Sequence, residues 1–339
     1  MACAMPPTPT ATEPLLRVRS LRVSFRLDEG LVRAVDGVSF DVYPGQVVGI
    51  VGESGCGKSV TTRAILQLID PPGRITSGEI LYRKGTTPID LARLSPRSRV
   101  MRELRGAQIA LIPQEPMAAF SPVHTVGSQI IEAIMLHERI KRDDARTKTV
   151  ELFRDVGISM AEQRVDAYSW QLSGGLRQRA MIALALSCKP RLLIADEPTT
   201  AIDVTTQAQI LALLRDLQSK YQTAIIFITH DLGVIAQMAN YVVVMYLGRI
   251  MEEGPVDGIF HAPRHPYTKA LLRSIPSLQT TTRAALPVIA GALPHPFNRP
   301  SGCPFHPRCE DIIRDRCAHA VPAQQVVSCF RFSDQVEPA

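Results

Sequence analysis

No apolar run in this 339-residue chain approaches the ~18 residues that cross a bilayer. The longest, "TAIIFIT" and "YVVVMYLG", have the length of strands. The opening "MACAMPPTPTATEP" lacks the cationic start and apolar centre of a secretory leader. Its polar, Pro/Thr-rich character reads as a disordered tail over residues 1–16. Internal repeats and heptads are absent. Aromatic residues amount to 5% of the chain, and the basic stretch from Arg83 to Arg105 contains none, so it offers no stacking platform for nucleic-acid bases. Neither sign of charge dominates: 38 Lys and Arg against 32 Asp and Glu give +6, which favours a solvated surface over a polyanion partner. These absences together predict a cytosolic chain whose thiols stay reduced, which argues against disulfides among its seven cysteines.

What is present is a hydrophobic content of 45%, enough for a substantial core. "LLRVRSLRVSF" alternates with period two and predicts a strand. "VSFDVYPGQVVGIVG" predicts a strand, a Pro-Gly turn and a second strand. "SVTTRAILQLI" reads as a helix stopped at Pro71-Pro72-Gly73. "QIALIPQ", "RLLIADE" and "TAIIFITH" read as buried strands, with mainly helical patterning between residues 124 and 188 and a helix in "TTQAQILALLRDLQSKY". "YVVVMYLGRIMEEG" reads as a terminal hairpin. Buried strands alternating with helices predict an α/β core on a parallel sheet. Prolines become frequent from His261, which places a boundary near residue 260.

Within "IVGESGCGKSVTT", residues Gly52, Glu53, Ser54, Gly55, Cys56, Gly57, Lys58 and Ser59 form G-x4-G-K-S between an apolar strand and a helix. Glycines let successive backbone N–H groups curl around phosphate oxygens, and the helix N-terminus, through Ser59 and Val60, adds unpaired donors. Lys58 is placed to reach the β- and γ-phosphates and Ser59 to ligate Mg²⁺. Cys56, at a helix N-terminus, is expected to be a reactive thiol protected by nucleotide, or else a small filler. "RLLIADEPTT" puts Asp196 and Glu197 at the carboxyl end of a strand, where ligands of open parallel sheets sit. Asp196 there suits Mg²⁺, and Glu197 suits a general base acting on water. His230 ends a second strand and is placed to contact the γ-phosphate. Ser173-Gly174-Gly175 begins another helix, a second phosphate cradle that one nucleotide does not need.

With these motifs in this order, the chain resembles the ATP-binding subunits of ABC transporters over roughly residues 17–255. The resemblance implies a P-loop NTPase with a mostly parallel sheet, an antiparallel β subdomain and an inserted helical subdomain at about 115–188. It implies ATP and Mg²⁺ as cofactors, Phe25 stacking on adenine, and Gln114 as the loop glutamine contacting Mg²⁺ and the attacking water. Ser173, Gly174 and Gly175 would act on the ATP of the opposite subunit, Ala201-Ile202-Asp203 would be the D-loop, and His230 the switch histidine. Leu176 and Ile202 depart from the common Gln and Leu of the family. Soluble ABC ATPases of translation or nucleic-acid metabolism share the core motifs, but this chain has one cassette and no long coiled-coil insertion.

"HAPRHPYTKALLRSIP" and "GCPFHPRC" resemble the C-terminal extension, residues 261–339, of dipeptide, oligopeptide and nickel importer ATPases. The resemblance implies an importer of short peptides, with nickel or another small solute as the alternative. It further implies a second ATPase subunit (identical or different), two permeases, an extracytoplasmic substrate-binding protein, no nucleic acid, and a peripheral place at the cytoplasmic face of the inner or plasma membrane. Cys303, Cys309, Cys317 and Cys329 have the spacing C-x5-C-x7-C-x11-C, without the C-x2-C knuckles of structural zinc sites. Loose spacing suits a 4Fe–4S cluster, which some members of that group carry; zinc and plain thiols stay open, with His306 a spare ligand.

Overall fold

A computed structural model describes residues 13–115, 119–200, 202–275 and 289–337. Ala201 of the expected D-loop and most of the expected tail lie outside the described residues. The ordered chain starts earlier than residue 17: Leu15 and Leu16 are both buried. Two sheets organise the molecule. The first is antiparallel, ordered β2-β1-β4-β5, from β1 (Leu16–Leu27), β2 (Gly30–Val42), β4 (Gly73–Tyr82) and β5 (Ile89–Asp90). The second has the order β10-β9-β3-β8-β7-β6. Its strands are β3 (Val47–Val51), β6 (Ile109–Ile112), β7 (Leu192–Asp196), β8 (Ala224–Ile228), β9 (Tyr241–Tyr246) and β10 (Arg249–Pro255). All pairings in it are parallel except the β9–β10 hairpin.

Strands β3, β7 and β8 are buried at every residue, because helices or strands cover both faces of a parallel sheet. Side chains alternate between the two covered faces. Val47, Leu193, Ile225, Phe227 and Val244 enter a core shared with the helical block. Val48, Ile50, Ile194, Ile226 and Val243 face the antiparallel sheet and meet Leu16, Val18 and Leu21. The helical block comprises Val126–His137, Arg142–Asp155, Ala161–Arg164 and Gly174–Leu186. Tyr267, Cys303, Phe305, Cys317 and Phe330 of the C-terminal extension join the first core, so the extension packs on the cassette instead of hanging from it.

The helix after the phosphate loop is shorter than its sequence suggests. It spans Lys58–Ile65, and Gln67 turns to a φ of 53° well before the prolines. The Arg105 guanidinium donates to the carbonyls of Leu66 and Gln67 at 2.9 and 3.0 Å, which satisfies the open helix end. Other arginines of the basic stretch are also paired: Arg93 with Asp90 and Arg99 with Glu103 locally, and Arg83 with the distant Glu13. Among the described residues no helix is long and apolar enough to cross a membrane.

Candidate functional site

The phosphate loop leaves β3 at its carboxyl end and feeds the helix Lys58–Ile65. Two glycines are dictated by close backbone approach and by positive φ. A Cβ on Gly52 (φ 150°) would lie 2.1 Å from the Met245 carbonyl oxygen, and one on Gly57 (φ 100°) 2.3 Å from that of Ala34. Lys58 is buried, and its amino group donates to the carbonyls of Gly52 at 2.7 Å and Glu53 at 3.1 Å, folded back along the loop. Cys56 is fully buried, and burial raises its thiol pKa despite Lys58 nearby. Of the two readings of Cys56, reactive thiol or small filler, its burial favours the filler: low-pKa thiols need an accessible electropositive setting.

Next to the loop, Ser59 Oγ donates to Asp196 Oδ1 at 2.9 Å. This hydroxyl–carboxylate pair is an all-oxygen donor set of the kind Mg²⁺ takes. Burial holds the Asp196 carboxyl above its usual range, against the pull of Ser59 and Arg63. Glu197 occupies a left-handed backbone position, φ 48°, and its N–H donates to the Ile228 carbonyl at 2.9 Å, which pins the strand end to β8. Its carboxylate accepts from Gln114 Nε2 at 3.2 Å and from Thr200 Oγ1 at 3.0 Å, and His230 Nδ1 stands 3.5 Å away. Ser59, Gln114, Asp196, Glu197 and His230, drawn from four separate stretches of sequence, thus converge at the carboxyl edge of one sheet. Thr200 is the member that motif reasoning omitted; its only sequence signal is its place three residues after the base.

Ser173 caps the helix Gly174–Leu186 by accepting from the Leu176 N–H. Gly175 approaches the start of the helix Val204–Tyr221, where a Cβ would meet Thr206 Cγ2 at 3.3 Å. Asp203 caps that second helix, accepting from the Thr206 N–H at 2.9 Å and its hydroxyl at 2.8 Å. Two helix N-termini therefore lie together. Among the described residues no hydrogen bond links Ser173, Gly174 or Gly175 to the phosphate loop of the same chain. Phe25 on β1 is half-buried beside Gly73, where a Cβ would come within 2.4 Å of its ring.

The C-terminal extension reaches the phosphate loop directly. His265 is buried, and its Nδ1 accepts from the Tyr267 N–H at 3.0 Å, capping the helix Pro266–Arg273. Tyr267 in turn accepts, at its hydroxyl, from the Glu53 N–H at 3.0 Å. The Arg308 guanidinium grips the Glu53 carboxylate at 2.7 and 3.1 Å. Ser54, Gly55 and Val60 complete the loop and its first turn.

Cys303, Cys309, Cys317 and Cys329 line one small cavity, all as free thiols. Burial pushes the Cys303 thiol up to about 12 and that of Cys309 up to about 11, and the neighbouring thiols of the set add to both shifts. Among the described residues no three His, Cys, Asp or Glu side chains are arranged around a single metal ion.

Comparison with known proteins agrees with this geometry. Residues 35–200 match the ABC transporter family, and residues 251–322 match the oligopeptide/dipeptide transporter C-terminal region. The chain is 46% identical over 319 residues to the dipeptide transport ATP-binding protein DppD of Escherichia coli, covering 94% of this chain and 95% of that protein. It is 47% identical to the oligopeptide transport ATP-binding protein OppD of Bacillus subtilis, covering 94% and 86%. A solved structure of the ATP-binding cassette MJ0796, a dimer in a post-hydrolysis state with ADP and Pi, superposes with a TM-score of 0.63 at 23% identity. The match covers 71% of this chain and 98% of that one.

Proposed function

The chain belongs to the ABC transporter ATP-binding family, and on that premise we propose that it is the ATPase subunit of an importer of short peptides. The convergence of Gln114, Asp196, Glu197 and His230 beside Ser59 carries the reading. ATP and Mg²⁺ are the family's cofactors; together they supply a γ-phosphoryl group whose transfer to water releases energy. Lys58 and the amides of residues 54–60 hold the phosphates, while Ser59 and Asp196 hold the cation with Gln114 nearby. Glu197 orients a water and takes its proton, and His230 and Gln114 fix the Glu197 carboxylate. Phe25 stacks on adenine. Ser173, Gly174, Gly175 and Asp203 serve the nucleotide of a second subunit; they cluster at two neighbouring helix N-termini and, among the described residues, make no hydrogen bond to their own phosphate loop.

ABC ATPases of this kind work as dimers under membrane permeases. The finer assignment is a dimer, of identical or different ATPases, beneath two permeases fed by an extracytoplasmic binding protein, on the cytoplasmic face of the membrane. The names of the relatives favour peptides over nickel or another small solute. Within the chain, the cassette runs from about Leu15, two residues before residue 17, to about residue 260, with helical residues near 115–188, and residues 261–339 form the extension. Cys303, Cys309, Cys317 and Cys329 would hold a 4Fe–4S cluster.

Glu197→Gln is the direct test. It should leave MgATP binding intact, lower phosphate release by about 10²–10⁴-fold, and accumulate a closed dimer on gel filtration in MgATP. Wild-type hydrolysis by this variant would remove Glu197 as the base.

A further inference from the structure

The Glu53 side chain poses a problem that the hydrolytic residues do not solve. It is a carboxylate inside the loop that must accept a polyanionic triphosphate. Left unpaired there, it would repel the ligand. Arg308 answers it with a two-pronged ion pair, Nη1 to Oε2 at 2.7 Å and Nη2 to Oε1 at 3.1 Å. The Arg308 side chain is only 5% exposed, so this pair is not the solvent-screened surface contact that contributes little.

Arg308 is itself held in place. Its Nε donates to the Ala290 carbonyl at 3.1 Å, and its Nη1 reaches the Tyr246 hydroxyl at 3.3 Å. The preceding Phe305 packs against Tyr246 and Tyr267, with ring centroids 5.4 and 5.2 Å apart. Tyr267 adds a second attachment by accepting the Glu53 N–H, while Lys58 holds the carbonyl of the same residue. Side chain, amide and carbonyl of Glu53 are therefore all engaged, two of the three by the C-terminal extension.

We propose that Arg308, assisted by Tyr267, is a positioning residue of the nucleotide site. It cancels the Glu53 charge and fixes the first turn of the phosphate loop, so that ATP affinity depends on the packed extension. This rests on reading residues 52–59 as the ATP cradle. Coupling is reciprocal: nucleotide in the loop must tighten the segment around Arg308 by the same factor.

The test is equilibrium binding of MgATP to the full chain. Arg308→Gln should weaken binding by about tenfold, and Arg308→Lys by less, since an ammonium keeps the charge but not the fork. Adding Glu53→Gln to Arg308→Gln should restore affinity to within about threefold of wild type, because the unpaired carboxylate is gone. Wild-type affinity in Arg308→Gln, or a double variant as weak as the single one, overturns the proposal. Should Arg308→Gln fail to fold, Glu53→Gln is followed by hydrogen exchange of residues 303–310. MgATP should slow exchange there in wild type and not in Glu53→Gln; equal slowing in both overturns the proposal. A wild-type chain that does not bind MgATP would instead defeat the ATP-cradle reading, whereas tight binding indifferent to Arg308 defeats only the clamp.

Discussion

His265 is a titratable residue almost wholly removed from water. Burial lowers its pKa to about 3, so the folded chain keeps the ring neutral and uses its Nδ1 as a helix cap. In the unfolded chain the same ring titrates near ~6.5. Between those values the unfolded state binds a proton that the folded state does not, and stability must fall as pH drops through that window, by up to about 1.4 kcal/mol per pH unit. His265→Asn keeps a capping acceptor and removes the titration. Its urea midpoint should change less than that of wild type between about pH 7 and about pH 4; an equal change would assign the acid sensitivity elsewhere. At this scale the sequence was informative wherever function follows from residue type at fixed spacing. The placement of Lys58, Ser59, Asp196 and Glu197 at the carboxyl ends of two strands could be read directly, because a phosphate-loop pattern and a strand-end acid pair are local patterns. Cys56 stayed open between a reactive thiol and a small filler, because helix position is visible in a sequence and burial is not.

Among the elements, the helix Val126–His137 shows how tightly the helical block is fitted. Gly127 donates its N–H to the Val165 carbonyl at 2.9 Å, and a Cβ there would lie 2.3 Å from that oxygen and 2.2 Å from Val165 Cγ2. Backbone cannot yield as a flexible side-chain tip does. Gly127→Ala should destabilise by about 1–3 kcal/mol through overpacking, seen as a lower thermal midpoint. MgATP binding at low temperature should survive, since the phosphate loop is in another element; an unchanged midpoint would mean that the two segments separate freely. Period-two alternation made β1 legible, and unbroken apolar runs made β3, β7 and β8 legible, because a buried parallel strand needs such a run. The end of the helix Lys58–Ile65 was not legible. It is set by Arg105, 39 residues beyond Leu66, capturing carbonyls that a local reading assigns to further helical turns.

At the scale of the whole molecule, the extension and the cassette share one core, and the four-cysteine cavity is tied into it by Phe305 and Phe330. Thiols whose pKa values are raised by burial and by one another are poorly suited to standing as free thiolates, and bound iron would reverse that balance. If the set holds the proposed cluster, the full chain purified without oxygen should carry iron and absorb near about 400 nm, and Cys309→Ser should lose both; an iron-free wild-type chain would leave the set as packed thiols. The spacing of these cysteines was plain in the sequence, and their convergence was not. Neither was the Glu53–Arg308 pair, because its partners stand 255 positions apart and nothing local marks either for the other.

That separation has a consequence in time. Glu53 is synthesised 255 residues before Arg308, an interval of roughly 13–50 s at the ~5–20 residues per second of translation. Throughout it, the growing chain holds the hydrolytic residues as they emerge, yet carries an unneutralised carboxylate in its phosphate loop. On the proposed clamp, a chain cut short before Arg308 should bind ATP more weakly than the complete one, so that full nucleotide affinity would arrive only with finished synthesis.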